Sequence, residues 1–404
     1  MNVKNLFTSP QKGSVKFFIC ICKRLVLKLR RGVIVQSRVS VFIPIYKESG
    51  LLEPLLNVLL KDPYQSKEIF VVIDAPTKKS LNLADKLKEK VNFIFNGHRM
   101  GKVNALNEAV KKSSGDIFVF LDGDVEINNF HENFLENIVK EMENVDILEI
   151  KKEVIKDSFL AKLVYYDYMS SNVVSWFFSK TLGKSLGLNG SAFAIKRKAF
   201  EDLGGFRRVV AEDLDLATRS FFKNQKFKYA KNVEVSVKTF SKWKQLYKQR
   251  KRWGIGGALW VKEYYKELIK TAIKFPKFLI PILPVIFPSL ALFLISFLPS
   301  NTFYYETFMM LMLFMATKIG FLSHPFFLTF VGVALLKNLM ASILSFGCFC
   351  VIFYFLAKKL DYTFNPLEFF LFYFIFSPFW LSIVIVSLVK VFIQPHKIKL
   401  DWKY

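Results

Sequence analysis

The chain has 404 residues, of which 52% are hydrophobic and 45 are Phe, and its mean hydropathy is +0.28. This composition excludes an ordinary soluble protein, and the four Cys, in two C-x-C pairs, give neither a disulfide framework nor the spacing of a metal site. The net charge of +25 invites a nucleic-acid interpretation, but no nucleic-acid motif occurs. A basic face against anionic lipid explains the charge more simply, so we expect no nucleic-acid partner.

The N-terminal segment is strongly basic. Residues 1–40 contain nine Lys or Arg and no Asp or Glu. The apolar run 17–22 is too short to span a bilayer and no cleavage site follows it, so we predict no cleavable signal. Residues 14–31 interleave apolar and basic side chains, which indicates a helix lying in the membrane surface. A solvated helix is the alternative. We assign 1–37 as a basic amphipathic interfacial segment.

From Arg38 the pattern alternates short apolar runs with helical stretches. The predicted strands are 39–45, 68–73, 91–95 and 116–121, and the predicted helices are 50–60, 80–90 and 102–112. This alternation predicts an α/β domain with a mostly parallel sheet flanked by helices, which we place at 38–240. In such sheets ligands bind beyond the carboxyl ends of the strands, where Asp74 and Asp122-Gly123-Asp124 stand.

The composition changes after Lys274, beyond which charged residues are rare. Apolar spans cover 278–298, 306–336, 338–357 and 367–392. A transmembrane helix needs ~20 apolar residues, so we predict about four crossings within 277–394. Three crossings remain open, because Lys318 and His324 interrupt the second span. Four crossings would return the basic tail, 395–404, to the cytoplasm.

An Asp-x-Asp at a strand end has a chemical use. The carboxylates of Asp122 and Asp124 can hold a hard divalent cation, Mg²⁺ or Mn²⁺, that bridges the oxygens of a diphosphate. Turns after strands are rich in Asp and Gly, so a plain turn is the alternative. Lys102 opens the helix after the third strand, where it suits a diphosphate partner, or is simply solvated.

Two further motifs lie downstream. Glu212 and Asp213 form an acidic site in which one ionised carboxylate can take a hydroxyl proton. They could equally start a helix, where acids favour the dipole, and Asp215 is the next candidate for the base. In Gln249-x-x-Arg252-Trp253, Arg252 can hold a pyrophosphate and Trp253 can stack on a sugar. Interfacial basic-aromatic helices, which we assign to 241–276, are the alternative.

Taken together and in this order, the motifs resemble those of glycosyltransferase family two, in its membrane-bound processive form, such as hyaluronan, chitin and cellulose synthases. The matching motifs are Ile43-Pro-Ile-Tyr-Lys-Glu48, Asp74, Gly101-Lys-Val-Asn-Ala-Leu-Asn107, Asp122-Gly-Asp124, Asn189-Gly-Ser-Ala-Phe-Ala194 with Leu203-Gly-Gly-Phe206, Ala211-Glu-Asp213 and Gln249-x-x-Arg-Trp253. The resemblance covers residues 38–260 together with the plan of trailing membrane helices.

The resemblance implies a GT-A nucleotide-sugar-binding fold and a role for each motif residue. Donor-binding residues would be Pro44, Tyr46, Glu48, Asp74, Lys102 and Asp122. The metal would be held by Asp124 and Asp122, Asp124 being the more direct ligand, and Asp213 would be the catalytic base. The residues that would close over the donor and shape the acceptor site are Glu212, Gln249, Arg252 and Trp253.

The chain departs from the family pattern at several points. Ala211 replaces a common Thr, Lys47 replaces a common Asn, and the segment between Asp124 and Asp213 is short. These departures leave the base in place, but they leave open which sugar is transferred and how many units are added.

The expected function is inverting transfer of a sugar from a nucleotide sugar, in first place a UDP-sugar, to a growing polysaccharide or oligosaccharide at the membrane. The alternative is single addition to a lipid-linked acceptor. A transporter or channel is disfavoured because the apolar spans carry few charges. We expect a multi-pass cell-membrane protein with a cytoplasmic catalytic domain.

Overall fold

The computed structural model describes residues 37–127, 133–276 and 330–395, with a few isolated positions between 276 and 330. Almost all of the predicted interfacial segment, the apolar span 278–298, most of the span 306–336 and the basic tail beyond residue 395 lie outside the described residues.

The N-terminal domain is built on an eight-stranded sheet. Its strands are β1 (Val39–Tyr46), β2 (Lys67–Asp74), β3 (Asn92–Asn96), β4 (Ile117–Leu121), β5 (Val125–Glu126), β6 (Ile147–Val154), β7 (Ala192–Lys196) and β8 (Phe227–Val237). They run in the order β3-β2-β1-β4-β7-β6-β8-β5. The first four are parallel, as predicted, whereas β7 is antiparallel to both of its neighbours and β5 is antiparallel to β8. The sheet is therefore mixed.

Helices cover this sheet and continue beyond it. They are α1 (Leu52–Lys61), α2 (Lys78–Leu87), α3 (Lys102–Lys111), α4 (Phe134–Glu141), α5 (Phe159–Thr181), α6 (Arg197–Asp202), α7 (Glu212–Phe222), α8 (Trp243–Lys274), α9 (Phe330–Lys359), α10 (Pro366–Leu371) and α11 (Ser377–Ile393). A π-helical turn, Phe372–Phe376, joins α10 to α11. The four predicted strands and three predicted helices are each found within a few residues of the expected bounds.

The central strands are buried on both faces, which explains their continuous apolar sequences. On one face of β1 and β4 the side chains are aromatic: Phe42 stacks on Phe70 and on Phe120, with ring centroids 5.4 and 5.2 Å apart. On the other face Val41 and Val119 belong to an aliphatic core under α1 and α4. The two cores fix the strand register, and so fix the positions of the residues that follow each strand.

Helix α8 is one continuous helix of 32 residues within 241–276, the segment for which interfacial helices are predicted. The sequence of α8 contains no Pro, and its Gly residues do not interrupt it. A Cβ atom at Gly254 would lie 2.7 Å from Ser387 Oγ and 3.2 Å from Ile383 Cγ2 of α11. The glycine therefore lets α8 and α11 approach closely.

Helix α5 attaches the domain to the C-terminal helices through two neighbouring tyrosines. Tyr165 Oη accepts a hydrogen bond from the backbone N–H of Thr363, and Tyr166 Oη accepts one from that of Asn365. Each hydroxyl also lies 3.0 Å from the carbonyl oxygen of the same residue. The loop before α10 is thus held by partly buried hydrogen bonds, and the Tyr166 ring also contacts Phe369 and Phe372 beyond the loop.

Within the described residues, two helices are long and apolar enough to cross a membrane, Asn338–Lys359 and Pro366–Ile393. They correspond to the third and fourth predicted spans. Many of their apolar side chains are exposed, including Ile343, Leu344 and Phe355 on α9 and Val386 on α11. Such surfaces are expected of helices that face lipid.

Candidate active site

A single cavity of about 1030 Å³ opens where β1, β2 and β4 end, and α3, α5, α7, α8 and α11 contribute to its walls. All twelve residues predicted from the sequence line it: Pro44, Tyr46, Glu48, Asp74, Lys102, Asp122, Asp124, Glu212, Asp213, Gln249, Arg252 and Trp253. The structure therefore brings together motifs that are up to about 200 positions apart in the sequence. The role of each residue remains a prediction.

Lys102 lies at the centre of the polar end of the cavity. Its Nζ is 2.7 Å from Asp122 Oδ1 and 3.3 Å from Glu212 Oε1. Burial alone lowers the pKa of a lysine, but here the charges of Asp122 and Glu212 outweigh it and raise the pKa of Lys102 above its usual value. The same burial raises the pKa of Glu212. Lys102 is therefore a fixed positive charge between two carboxylates.

Asp124 faces the cavity, yet the surrounding protein limits its hydration. This desolvation, together with the charge of Asp122, raises the pKa of Asp124 to about 7. A nearby cation would stabilise the ionised form of this carboxylate. Mg²⁺ is commonly held by one or two carboxylates and completed by phosphate oxygens, so Asp124 and Asp122 fit Mg²⁺ or Mn²⁺. Because Lys102 already pairs with Asp122, Asp124 is the freer ligand.

Asp213 stands in the first turn of α7, so the helix-start interpretation describes its position correctly. It also lines the cavity, and its oxygens are held by backbone N–H groups: Gly190 donates to Oδ2 at 2.9 Å and Leu214 donates to Oδ1 at 2.8 Å. A Cβ at Gly190 would lie 2.9 Å from Asp213 Oδ2 and 3.0 Å from its Cβ. Gly190 is therefore needed for the carboxylate to take this position.

Asp215, the fallback candidate for the base, is occupied elsewhere. It is 2% exposed and pairs with Arg207 at 2.9 Å and with Arg219 at 2.7 Å. Tyr264 donates a further hydrogen bond to its Oδ1 at 2.8 Å. A carboxylate with both oxygens bonded inside an ion-pair network is structural, and it does not line the cavity.

Asp74 does more than face the cavity. Its Oδ1 accepts a hydrogen bond from the Asn96 side chain, and its Oδ2 accepts bonds from the backbone N–H groups of Met100 and Gly101. These bonds fix the loop that leads into α3. Asp74 therefore sets the position of Lys102, which begins that helix.

The end of β1 forms the exposed side of the cavity. The Tyr46 ring is half-exposed, and the Arg99 guanidinium lies over it at 4.3 Å from the ring centroid. Glu48 Oε2 accepts a hydrogen bond from Thr77 Oγ1 at 2.8 Å. With Arg99 over one face of the Tyr46 ring, the other face is suited to stacking against a flat heterocycle. Sequence reasoning missed Arg99, whose partner is set by the fold.

Comparison with known proteins identifies the domain. The family described as Glycosyl transferase family 2 matches residues 40–204. The chain carries a glycosyl transferase family 2 domain. The family, the enzyme class and the GT-A-type fold predicted from the motifs are thus confirmed for the catalytic domain.

Two curated relatives are similar to this chain over about three fifths of its length. Poly-beta-1,6-N-acetyl-D-glucosamine synthase of Staphylococcus aureus is 25% identical over 252 residues, which are 61% of this chain and 61% of that protein. The protein named "Probable glycosyltransferase YdaM" of Bacillus subtilis is 23% identical over 266 residues, 61% of this chain and 62% of that protein. The chain therefore spans about three fifths of the length of the relatives it matches.

Among solved structures, the mannosyltransferase PcManGT from Pyrobaculum calidifontis, in complex with GDP-Man and Mn²⁺, aligns with a TM-score of 0.49 and 20% identity over 77% of this chain and 87% of that one. TarS from S. aureus, in complex with UDP-GlcNAc, aligns with a TM-score of 0.38 and 18% identity over 50% of this chain and 59% of that one.

Metal binding to the glycosyltransferase domain should depend on pH. Because desolvation inside the cavity and the charge of Asp122 raise the pKa of Asp124 to about 7, a proton competes with the cation below that pH. Mn²⁺ affinity, measured by electron paramagnetic resonance of free Mn²⁺, should be about tenfold weaker at pH 6 than at pH 8. Asp124→Asn should bind weakly at both pH values, and Glu48→Gln should match the wild type. Equal wild-type affinity at both pH values would contradict this assignment.

The position of Asp213 should be sensitive to Gly190. In Gly190→Ala the added methyl displaces the carboxylate, and a shift of about 1 Å at a reacting group can cost about 10²-fold in rate. Turnover should fall by about 10- to 100-fold while the KM for the donor changes little. Gly187→Ala is the matched control, since its Cβ would make an ordinary 3.5 Å contact with Leu214. Equal turnover in the two variants would show that Asp213 is not held for catalysis.

Proposed function

We propose that this protein is an inverting glycosyltransferase that moves a sugar from a nucleotide-sugar donor to a saccharide acceptor at the membrane. The observation that supports it best is that residues suited to binding a diphosphate and a residue suited to act as a base line the same cavity. Lys102, Asp122 and Asp124 suit a diphosphate and its cation. The Asp213 carboxylate lines the same cavity and is held in place by a backbone N–H group. The family of the domain supplies the reaction class.

On the donor side, the residues act by binding and by charge. Tyr46 would stack on the base, and Lys102 and Arg252 would carry the positive charge that meets the diphosphate. Mg²⁺ or Mn²⁺, held by Asp124 and Asp122, would neutralise the charge that develops on the diphosphate as it leaves. Lys102 would keep Asp122 oriented throughout, because its short contact with that carboxylate is already formed.

On the acceptor side, Asp213 would take the proton of the attacking hydroxyl. The N–H groups of Gly190 and Leu214 hold both of its oxygens, so the carboxylate does not need to reorient. A single displacement assisted by one base inverts the configuration at the sugar carbon. Trp253, at the same cavity, would stack on the acceptor sugar.

The acceptor is expected to be a growing saccharide chain, and N-acetylglucosamine from its UDP donor is the first sugar to test, since one relative is named as a synthase of its polymer. A lipid-linked acceptor is the second candidate. It is favoured by the apolar part of the cavity wall, which includes Trp260 and Val261 of α8 and Val384 and Leu388 of α11. Mass spectrometry of the products separates them: a ladder of lengths indicates a polymer, and one added unit indicates the alternative.

We further propose that the catalytic domain lies on the cytoplasmic side of a multi-pass membrane protein. The basic segment 1–40 and the two apolar helices Asn338–Lys359 and Pro366–Ile393 support this orientation. Protease cleavage within the domain in intact cells, before the cytoplasm is opened, would refute it.

Asp213→Asn separates catalysis from helix stability. The substitution keeps the size of the side chain and one acceptor oxygen, but it removes the proton acceptor. Loss of a positioned base slows a step by ~10²–10⁴-fold, whereas loss of a first-turn charge costs about 1 kcal/mol of stability or less. Turnover should therefore fall by at least about 100-fold, and nucleotide affinity should persist on the same folded preparation.

The matched control for this variant is Glu53→Gln, which removes an exposed acid from the first turn of α1, away from the cavity. It should keep normal turnover. An Asp213→Asn protein within fivefold of wild-type turnover would exclude Asp213 as the base.

A further inference from the structure

Arg250 stands within the Gln249-x-x-Arg252-Trp253 motif, yet it behaves unlike its neighbours. It is 1% exposed, whereas Lys251 and Arg252 are exposed. Its Nη1 lies 2.7 Å from Asp167 Oδ2 of α5. Its Nε and Nη2 are buried and have no hydrogen-bond partner among the residues that the structure describes. The motif therefore contains a buried charge to which sequence reasoning gave no role.

Three aromatic rings surround this guanidinium. Its central carbon is 4.4 Å from the ring centroid of Trp253, 5.2 Å from that of Trp380 and 5.4 Å from that of Phe376. Trp253 belongs to α8, Phe376 to the π-helical turn and Trp380 to α11. A planar cation packed against these rings fixes the orientation of the Trp253 indole and ties it to α5 through Asp167.

This arrangement is a poor way to gain stability. Burying a charge is costly, and a donor left without a partner adds about 1–3 kcal/mol. Apolar residues of similar volume often replace buried ion pairs without loss of stability. An ion pair that leaves two donor nitrogens of the arginine without partners therefore indicates a role in function, and its surroundings indicate which role.

Both members of the pair line the cavity, as do Trp253 and Trp380. Along α5, Ser171 and Ser175 follow Asp167 at intervals of four residues and also line it. One face of α5 thus presents a carboxylate and two serines to a cavity that also carries indole rings. A pyranose has the matching character, with apolar C–H faces and a rim of hydroxyl groups.

We propose that Asp167 is an acceptor-binding residue and that Arg250 is the positioning residue that holds it. The Asp167 carboxylate accepts hydrogen bonds from hydroxyl groups of the acceptor saccharide, while Trp253, oriented by Arg250, stacks on a sugar ring. This assignment rests on the proposed transfer to a saccharide. It adds a subsite that is separate from the base Asp213 and from the diphosphate residues.

The test compares acceptor and donor kinetics of Asp167→Asn and Arg250→Lys in the full-length protein, with UDP-N-acetylglucosamine as the donor and a β-1,6-linked N-acetylglucosamine pentamer as the acceptor. Lys156→Met is the matched control. Lys156 also connects the domain to the C-terminal helices, through a 3.3 Å pair with Glu368, and it also stacks on an aromatic ring, that of Tyr165. It does not line the cavity.

Asp167→Asn should raise the KM for the pentamer by about tenfold or more, because a hydrogen bond to a charged group is lost, and leave the KM for the donor within about twofold. Arg250→Lys should also raise the pentamer KM, since lysine keeps the charge but not the planar stacking. Lys156→Met should keep both KM values. Thermal melting of each preparation identifies any variant that does not fold.

A pentamer KM within twofold of wild type in both Asp167→Asn and Arg250→Lys would overturn the assignment. An equal rise of the pentamer KM in Lys156→Met would also overturn it, because the effect would then come from weaker packing of the domain against the C-terminal helices. A wild-type protein that transfers no sugar from any nucleotide donor to any acceptor would instead remove the proposed function itself, and this subsite with it.

Discussion

The crowding of negative charge around Lys102 determines how the whole site is built. Four carboxylates share one end of the cavity: Asp122, Asp124, Glu212 and Asp213. Lys102 pairs with only two of them, and desolvation within the cavity raises the pKa of both Asp124 and Glu212. This end of the cavity therefore has more negative than positive charge, and a divalent cation would offset the excess. Asp213 lies at the same end of the cavity and is held by two backbone N–H groups.

The fold places these charges against helices that are apolar enough for a membrane. Because the strands are parallel, Asp74 and Asp122 lie at the same edge of the sheet. Helix α8 forms one wall of the cavity and packs against α11 at Gly254. Tyr165 and Tyr166 hold the loop before α10 from the other side. Residues of both the catalytic domain and the C-terminal helices thus line the cavity. This sharing accounts for a buried Arg250 in contact with both.

Sequence reasoning succeeded where the signal is local. Strands β1 to β4 are continuous apolar runs that end in polar residues, and their pattern alone places the motifs that follow them at one edge of the sheet. It did not assign β5 to β8, since their antiparallel pairings join segments far apart in the chain and β8 mixes charged with apolar residues. Spacing alone could not distinguish Asp213 from Asp215 as the base. The structure distinguishes them because Asp215 is paired with Arg207 and Arg219. Arg250 was missed for the same reason, since its burial depends on Asp167, more than 80 positions away.

The central claim is a single displacement at the sugar carbon, assisted by one carboxylate, with the diphosphate leaving from the opposite face. The configuration of the new glycosidic bond tests it most directly. The full-length protein is incubated with an α-linked nucleotide sugar, the pentamer and Mn²⁺, and the anomeric proton coupling of the newly added residue is read by nuclear magnetic resonance before the product can be altered. We expect a β-linkage in the initial product. An α-linkage would show retention, and it would contradict the role given to Asp213.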